Sequence, residues 1–327
     1  MTAAAGRART VLGDVDAADL GPTDYHEHLF QASPLLPGDD LDDEARSGAE
    51  AADLRASGFA SMVDATPVGL GRDPRGLARI SARTGLGVVA TTGAHREQHY
   101  PAGHWLLEEP EHRLAARFTR EVEVALPVDD RSPRAADAVG PDGSPVRAGV
   151  AKAGVGYWSV SAFERRVLAA LAGAWHASGP ALMVHLEHGS AAFEVLALLA
   201  DDGVPASAVC LAHVDRNPDP VLHAELASAG AYLGYDGWAR SQRWPDTTLL
   251  TCLLRAAELG AADRLLLGGD VARRTRYRAY GGMPGLAYLG ERVRPRLLAA
   301  DAALAHHVLV SNPARWLTST RPAGETA

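Results

Sequence analysis

Six residues of this chain have the types and settings for metal chemistry. His26 and His28 stand one residue apart in Tyr25-His26-Glu27-His28-Leu29-Phe30. On an extended segment, side chains at i and i+2 share a face, so both imidazoles could reach one ion. Two histidines in a surface loop are the competing reading. His185 and His213 close the apolar runs 181–184 and 208–212. A buried imidazole there must be hydrogen-bonded or metal-bound, and for either one alone a hydrogen-bonded core histidine fits equally. Lys152 follows Gly149-Val150-Ala151, where a buried ammonium would carry a large desolvation cost. A lysine with a lowered pKa could react with CO2 to give an anionic carbamate able to bridge two cations. A lysine whose head reaches water is the alternative. Asp270 closes Leu265-Leu266-Leu267-Gly268-Gly269, offering a carboxylate to a cation or a cap to a following helix.

These residues need elements that bring them together. Short apolar segments at 25–30, 59–64, 87–92, 149–153, 181–185, 208–213, 231–235 and 264–270 predict eight strands. Helical spacing runs between several of them. Residues 163–177 place Val167, Leu168, Leu171 and Trp175 on one face, and 193–199 and 248–259 are similar. Strands alternating with helices predict an α/β fold with a parallel sheet, here a (β/α)8 TIM barrel in one domain over residues 1–327. Active sites of such barrels form at the C-terminal strand ends, where the six residues would converge from five strands. Two stretches interrupt the rhythm. Residues 39–50 predict a loop or short surface helix, and 127–147, rich in Pro, Asp, Arg and Gly, an exposed excursion.

Other residues fall near the mouth of such a barrel. Tyr100 or His99 in the loop after the third strand could orient a substrate, and surface polarity explains that loop as well. Arg216, Arg240, Arg243, Arg273, Arg274, Arg276 and Arg278 gather after late strands, as an anion site or as a solvated basic loop. Trp158, Trp238 and Trp244 could wall a partly apolar pocket or pack at its rim. His188 could contact substrate.

The 327 residues are 47% hydrophobic and 22% charged, ordinary for a globular protein. A net charge of −8 argues against a nucleic-acid binder. Two cysteines, Cys210 and Cys252, form neither a disulfide framework nor a zinc motif. No signal-peptide or membrane-span pattern is present, so a cytoplasmic location away from membranes is expected.

In combination these segments resemble the phosphotriesterase-like branch of the amidohydrolase superfamily. The resemblance rests on Arg9-Thr10-Val11-Leu12-Gly13 with His26-Glu27-His28-Leu29, on Ala151-Lys152-Ala153-Gly154-Val155-Gly156-Tyr157, and on His213-Val214-Asp215-Arg216-Asn217-Pro218-Asp219. It continues through Gly268-Gly269-Asp270, Arg273-Arg274, Gly281-Gly282-Met283-Pro284-Gly285 and Asn312-Pro313-Ala314-Arg315. It implies a binuclear hydrolase and a homodimer. One ion would take His26, His28 and Asp270, the other His185 and His213, with carboxylated Lys152 bridging them. Zinc is the leading metal, and manganese, cobalt or iron suit the same donors. A bridging hydroxide would attack, and Asp270, as the catalytic residue, would accept its proton.

Phosphotriesterases proper carry a further relay aspartate near the sixth strand. Asp215-Arg216-Asn217-Pro218 looks more like lactonase-type members, some of which act on phosphorylated sugar lactones. Those carry a lysine near the position of Gln242, which this chain lacks. The expectation is therefore hydrolysis of a lactone or related ester, a small molecule that could be anionic, with Arg216, Tyr100, Arg273 and Arg274 as substrate contacts. Phosphotriester or phosphoester cleavage, then amide or carbamate cleavage, follow as alternatives, ahead of a non-catalytic binder.

Overall fold

The structure is a computed structural model and describes residues 6–130 and 135–318. An antiparallel hairpin, β1 (Arg7–Thr10) and β2 (Gly13–Asp16), precedes an eight-stranded parallel sheet. The sheet comprises β3 (Thr23–Glu27), β4 (Ser61–Asp64), β5 (Gly87–Gly93), β6 (Ala148–Val155), β7 (Ala181–Leu186), β8 (Val209–Ala212), β9 (Tyr232–Tyr235) and β10 (Leu265–Leu267), adjacent in chain order. The Asp270 N–H donates to the His26 carbonyl at 2.8 Å, so the end of the last strand meets the first and the sheet curls into a nearly closed (β/α)8 barrel. Each expected strand is present. The β1–β2 hairpin was not expected, because four-residue strands are too short for a legible alternation.

Period-two alternation sorts the strands into two layers. Val63, Val89, Val150, Met183, Cys210 and Leu266 fill the barrel bore. Their neighbours Met62, Val88, Ala151, Leu182, Leu211 and Leu265 face the helices. The bore cluster continues into Ala8, Leu20, Ala314 and Trp316 from the two ends of the chain. Trp316 packs edge-on against Tyr25 and donates its indole N–H to the Leu182 carbonyl at 3.2 Å. One barrel end is thereby plugged, which leaves the C-terminal strand ends for a site.

Helices cover the barrel, including Pro74–Thr84, Glu111–Glu123, Ala162–Ser178, Ala192–Asp201, Pro220–Ser228 and Asp246–Ala256. Ala162–Ser178 starts with a reciprocal capping box between Ser161 and Glu164. The acidic stretch 39–50 leads into a longer helix than expected, Glu44–Ala56. Asp43 caps it by accepting from the Ala45 and Arg46 N–H groups, and Ser47, Glu50 and Leu54 are buried. The excursion 127–147, of which 131–134 lie outside the described residues, is not simply exposed. Ala138 and Val146 are buried, and Asp130 binds Arg72 and Arg117 in an ion-pair network with Glu121. Among the described residues no helix is long and apolar enough to cross a membrane.

Candidate metal centre

Strand parity places two of the candidate ligands. Lys152 lies two residues beyond Val150 and His185 two beyond Met183, so both inherit the inward direction of the bore residues. Two others depend on breaks in parity. Tyr25 packs in the bore, so its neighbour His26 should face outward, but the β3–β4 register shifts between Asp24 and Glu27. His213 follows the inward Ala212, and its left-handed φ of 68° turns it back toward the bore. Asp270, at φ 44°, also has left-handed backbone. Such conformations are costly for non-glycine residues and concentrate at functional sites.

The result is a buried constellation. His26 Nε2 and His28 Nε2 lie 3.7 and 3.6 Å from Asp270 Oδ1. Lys152 Nζ is 3.4 Å from His26 Nε2 and donates to the Ala65 carbonyl at 2.9 Å. The His213 ring centroid lies 5.0 Å from that of His26 and 4.5 Å from that of His185.

Three of the imidazoles have one nitrogen hydrogen-bonded by the protein, and the fourth, His26, turns Nδ1 toward a carboxylate without a hydrogen bond to it. His28 Nδ1 is 2.7 Å from Thr66 Oγ1, and because that hydroxyl donates to the Phe30 carbonyl it must accept from His28. His213 Nδ1 donates to Asp236 Oδ1 at 2.6 Å, and His26 Nδ1 faces Asp236 Oδ2 at 3.3 Å. His185 Nε2 donates to Glu187 Oε2 at 3.1 Å. Nε2 of His26, His28 and His213 and Nδ1 of His185 remain to serve as ligands. A partner on the far nitrogen is the usual support of a metal-binding histidine, so the donor set fits a borderline divalent cation.

Two triads bring donor atoms within 4.8 Å of one another: His26, His28, Asp270 and His26, His213, Asp236. The Asp236 contacts are through Nδ1, which makes Asp236 an orienting carboxylate rather than a ligand. Sequence reasoning missed it, although it directly follows an apolar strand, as Asp270 nearly does.

The electrostatics suit ligands. Burial lowers the pKa of His26 to about 4 and also lowers those of His28, His185 and His213, keeping the imidazoles neutral. Burial lowers Lys152 to about 8, toward the free amine that a carbamate requires. Burial alone would raise Asp270, but the Arg240 guanidinium beside it holds its carboxyl well below the usual range. Arg216 and Arg240 reach Asp270 Oδ2 at 2.6 and 2.8 Å.

These groups line a cavity of about 300 Å³ together with His95, Arg96, His99, Glu187, Arg273 and Arg276. A second cavity of about 910 Å³ shares Arg216, Arg240, Arg273 and Arg276 and adds Arg243 and Trp244.

Residues 6–317 match the profile of the Phosphotriesterase family. The chain belongs to that family. A phospho-furanose lactonase of Mycoplasmopsis synoviae is 27% identical over 95% of this chain and 91% of that protein. A phosphotriesterase homology protein of Mycobacterium tuberculosis is 30% identical over 80% of this chain and 79% of its own length. The crystal structure of a lactonase from Listeria monocytogenes superposes with a TM-score of 0.85 at 28% identity, covering 96% of this chain and all of that one (100%). This phosphotriesterase-family chain is thus a metal-dependent hydrolase.

The expected substrate contacts divide. Arg216 and Arg273 line the cavity, whereas Tyr100 and Arg274 do not. The Tyr100 hydroxyl is buried and consumed, donating to the Val68 carbonyl and accepting from the His95 N–H. Arg274 is exposed and turns outward over the Tyr280 ring. The cavity instead gains Arg240, whose guanidinium donates to the Asp236, Gly269 and Asp270 carbonyls, and Arg276. Arg278 pairs with Glu291 at the surface. Trp238 is buried, Trp158 is 64% exposed, and of the three only Trp244 lines either cavity, the second one.

Proposed function

We propose that this chain hydrolyses a lactone or related carboxylic ester, using two divalent cations held by His26, His28, Asp270, His185, His213 and carboxylated Lys152. The observation that carries this reading is the convergence of four buried imidazoles, three with one nitrogen hydrogen-bonded to a supporting group and the fourth, His26, with Nδ1 facing Asp236, each leaving its other nitrogen toward the site. Zinc suits this set of nitrogen and oxygen ligands best. Bound there, the cations would supply Lewis acidity toward an attacking water and the acyl oxygen.

The protein's own groups would do the rest. Asp270 Oδ1 faces His26 and His28 while Oδ2 is held by Arg216 and Arg240. That carboxylate would take a proton from the attacking water and pass it toward the leaving oxygen. Asp215 accepts from the Gly237 N–H through Oδ2 at 2.7 Å and lines the second cavity but not the first, where the metal candidates lie. This supports a lactone over a phosphotriester, since no additional relay carboxylate lines the first cavity beside Asp270 except Glu187, which pairs with Arg96 and His185.

The arginines favour an anionic lactone. Arg276 lines both cavities, and burial, followed by neighbouring Arg240, lowers its pKa to about 10. Its guanidinium's one hydrogen bond among the described residues is to the Trp238 carbonyl at 3.4 Å. A half-buried guanidinium with so few hydrogen bonds suits a phosphate or carboxylate on the substrate.

The test combines metal analysis with a substrate panel of lactones, phosphorylated lactones and an aryl phosphotriester. Close to two ions per chain and a preference for lactones are expected. A preference for the phosphotriester, or full activity in metal-free protein, would overturn the reading.

A further inference from the structure

Two further imidazoles line the same cavity, His95 and His99, on the loop after β5. His95 Nδ1 accepts from the Arg96 N–H at 2.7 Å. A nitrogen that accepts carries no proton, so the ring is neutral with its proton on Nε2. Nε2 is then a donor left to the cavity, in a ring whose centroid is 4.5 Å from that of His185. His99 is differently placed. Its Nδ1 is 2.9 Å from Ser33 Oγ, its Nε2 is 3.4 Å from Arg96 Nη2, and its ring lies 3.8 Å from that of His95. With both nitrogens engaged, His99 backs His95.

The loop is held from several sides. Gly93 turns the chain at φ 95°, where a Cβ would stand 2.0 Å from the Lys152 carbonyl oxygen. The Ala94 N–H donates to that carbonyl at 2.9 Å. The His95 N–H donates to the Tyr100 hydroxyl at 2.8 Å, and Arg96 pairs with Glu187 at 2.9 Å. Gly154 leaves the room that His95 occupies, since a Cβ there would lie 3.0 Å from His95 Nδ1. A donor fixed in this way needs no reorganisation as charge develops, which is the condition for strong transition-state stabilisation.

We propose that His95 is a catalytic residue that donates a hydrogen bond from Nε2 to the acyl oxygen of the bound ester as negative charge gathers there. The proposal rests on the reading of the chain as a lactone or ester hydrolase. The neutral imidazole acts as an electrophile, and its proton stays on Nε2 throughout.

The test uses metal-loaded wild type, His95→Phe, which keeps a ring without a donor, and His95→Gln, which returns an N–H near Nε2. Metal content, kcat and KM are measured on an uncharged lactone and on esters with alkyl and aryl leaving groups. In His95→Phe, kcat should fall about 10²- to 10³-fold at unchanged metal content, with little change in KM and an equal loss for both leaving groups. His95→Gln should recover part of it. Nitrogen-15 NMR of the wild type should find the His95 proton on Nε2, a readout that survives if the Phe variant fails to fold. Retained kcat, metal loss in step with kcat, a loss confined to alkyl esters, or a proton on Nδ1 would each overturn the assignment. A wild type that hydrolyses no lactone or ester would instead overturn the proposed function, and this assignment with it.

Discussion

Asp236 Oδ1 lies 2.6 Å from His213 Nδ1, and the other oxygen of the same carboxylate faces His26 Nδ1 at 3.3 Å. One buried carboxylate thus hydrogen-bonds one imidazole and faces a second, the two being assigned to different ions. Burial would raise its pKa, but His213 and His26 hold it well below the usual range, so it stays anionic. Asp236→Asn should weaken metal binding about 10- to 100-fold, measured by chelator competition. Unchanged affinity would mean that the carboxylate orients neither ring.

Lys152 is buried with its amine beside His26 Nε2. Lys152→Ala should lose bound metal and turnover together. Wild type reconstituted with carbon-13 bicarbonate and metal should show a carbamate carbon signal that the variant lacks. Full hydrolysis by the alanine variant would remove the carbamate from the mechanism.

Arg276 should matter most for charged substrates. Arg276→Gln is expected to raise KM for a phosphorylated lactone by about 10-fold or more, as for loss of a hydrogen bond to a charged group (about 1.5–3 kcal/mol). The corresponding uncharged lactone should lose much less. Equal losses on both would show that Arg276 reads no anion.

Asp130 supplies a stability test away from the metal ligands. Its carboxylate takes Arg72 Nε at 2.8 Å and Arg117 Nη2 at 2.9 Å, with side-chain exposures of 2% for Arg72 and 7% for Asp130. Asp130→Asn breaks a buried network on one side and should cost about 3 kcal/mol in urea unfolding. Burial pulls the Asp130 pKa upward, but Arg72 outweighs it and the net shift is downward. The stabilisation is therefore full above the unfolded value of about 3.9 and is lost as pH falls through the lower folded value. The gap between wild type and variant should close only in that acid range. A gap independent of pH down to acid unfolding would contradict the assignment.

Much of this was legible in the chain. The apolar runs marked the eight barrel strands because each is buried on both faces, and Lys152 and His185 followed from simple parity. Asp236 was hidden because a carboxylate following Tyr235 looks like any strand-end residue until its His213 partner is known. Tyr100 appeared to be a mouth residue because its loop follows the third strand, yet its hydroxyl serves the backbone of His95 and Val68. Arg274 and Arg276 are indistinguishable in Arg273-Arg274-Thr275-Arg276, and a short turn, Arg274–Arg276, sends one outward and one into the cavity.

The sequence by itself determined the barrel, the family resemblance and the residue types able to bind metal, because alternation and short motifs are local properties of a chain. Only the tertiary structure decided which atoms face inward. The register shift beside His26 and the left-handed backbone at His213 and Asp270 overrule strand parity at the ligands themselves. They persist because packing and hydrogen bonds from distant strands compensate a local cost that no short stretch of sequence reveals.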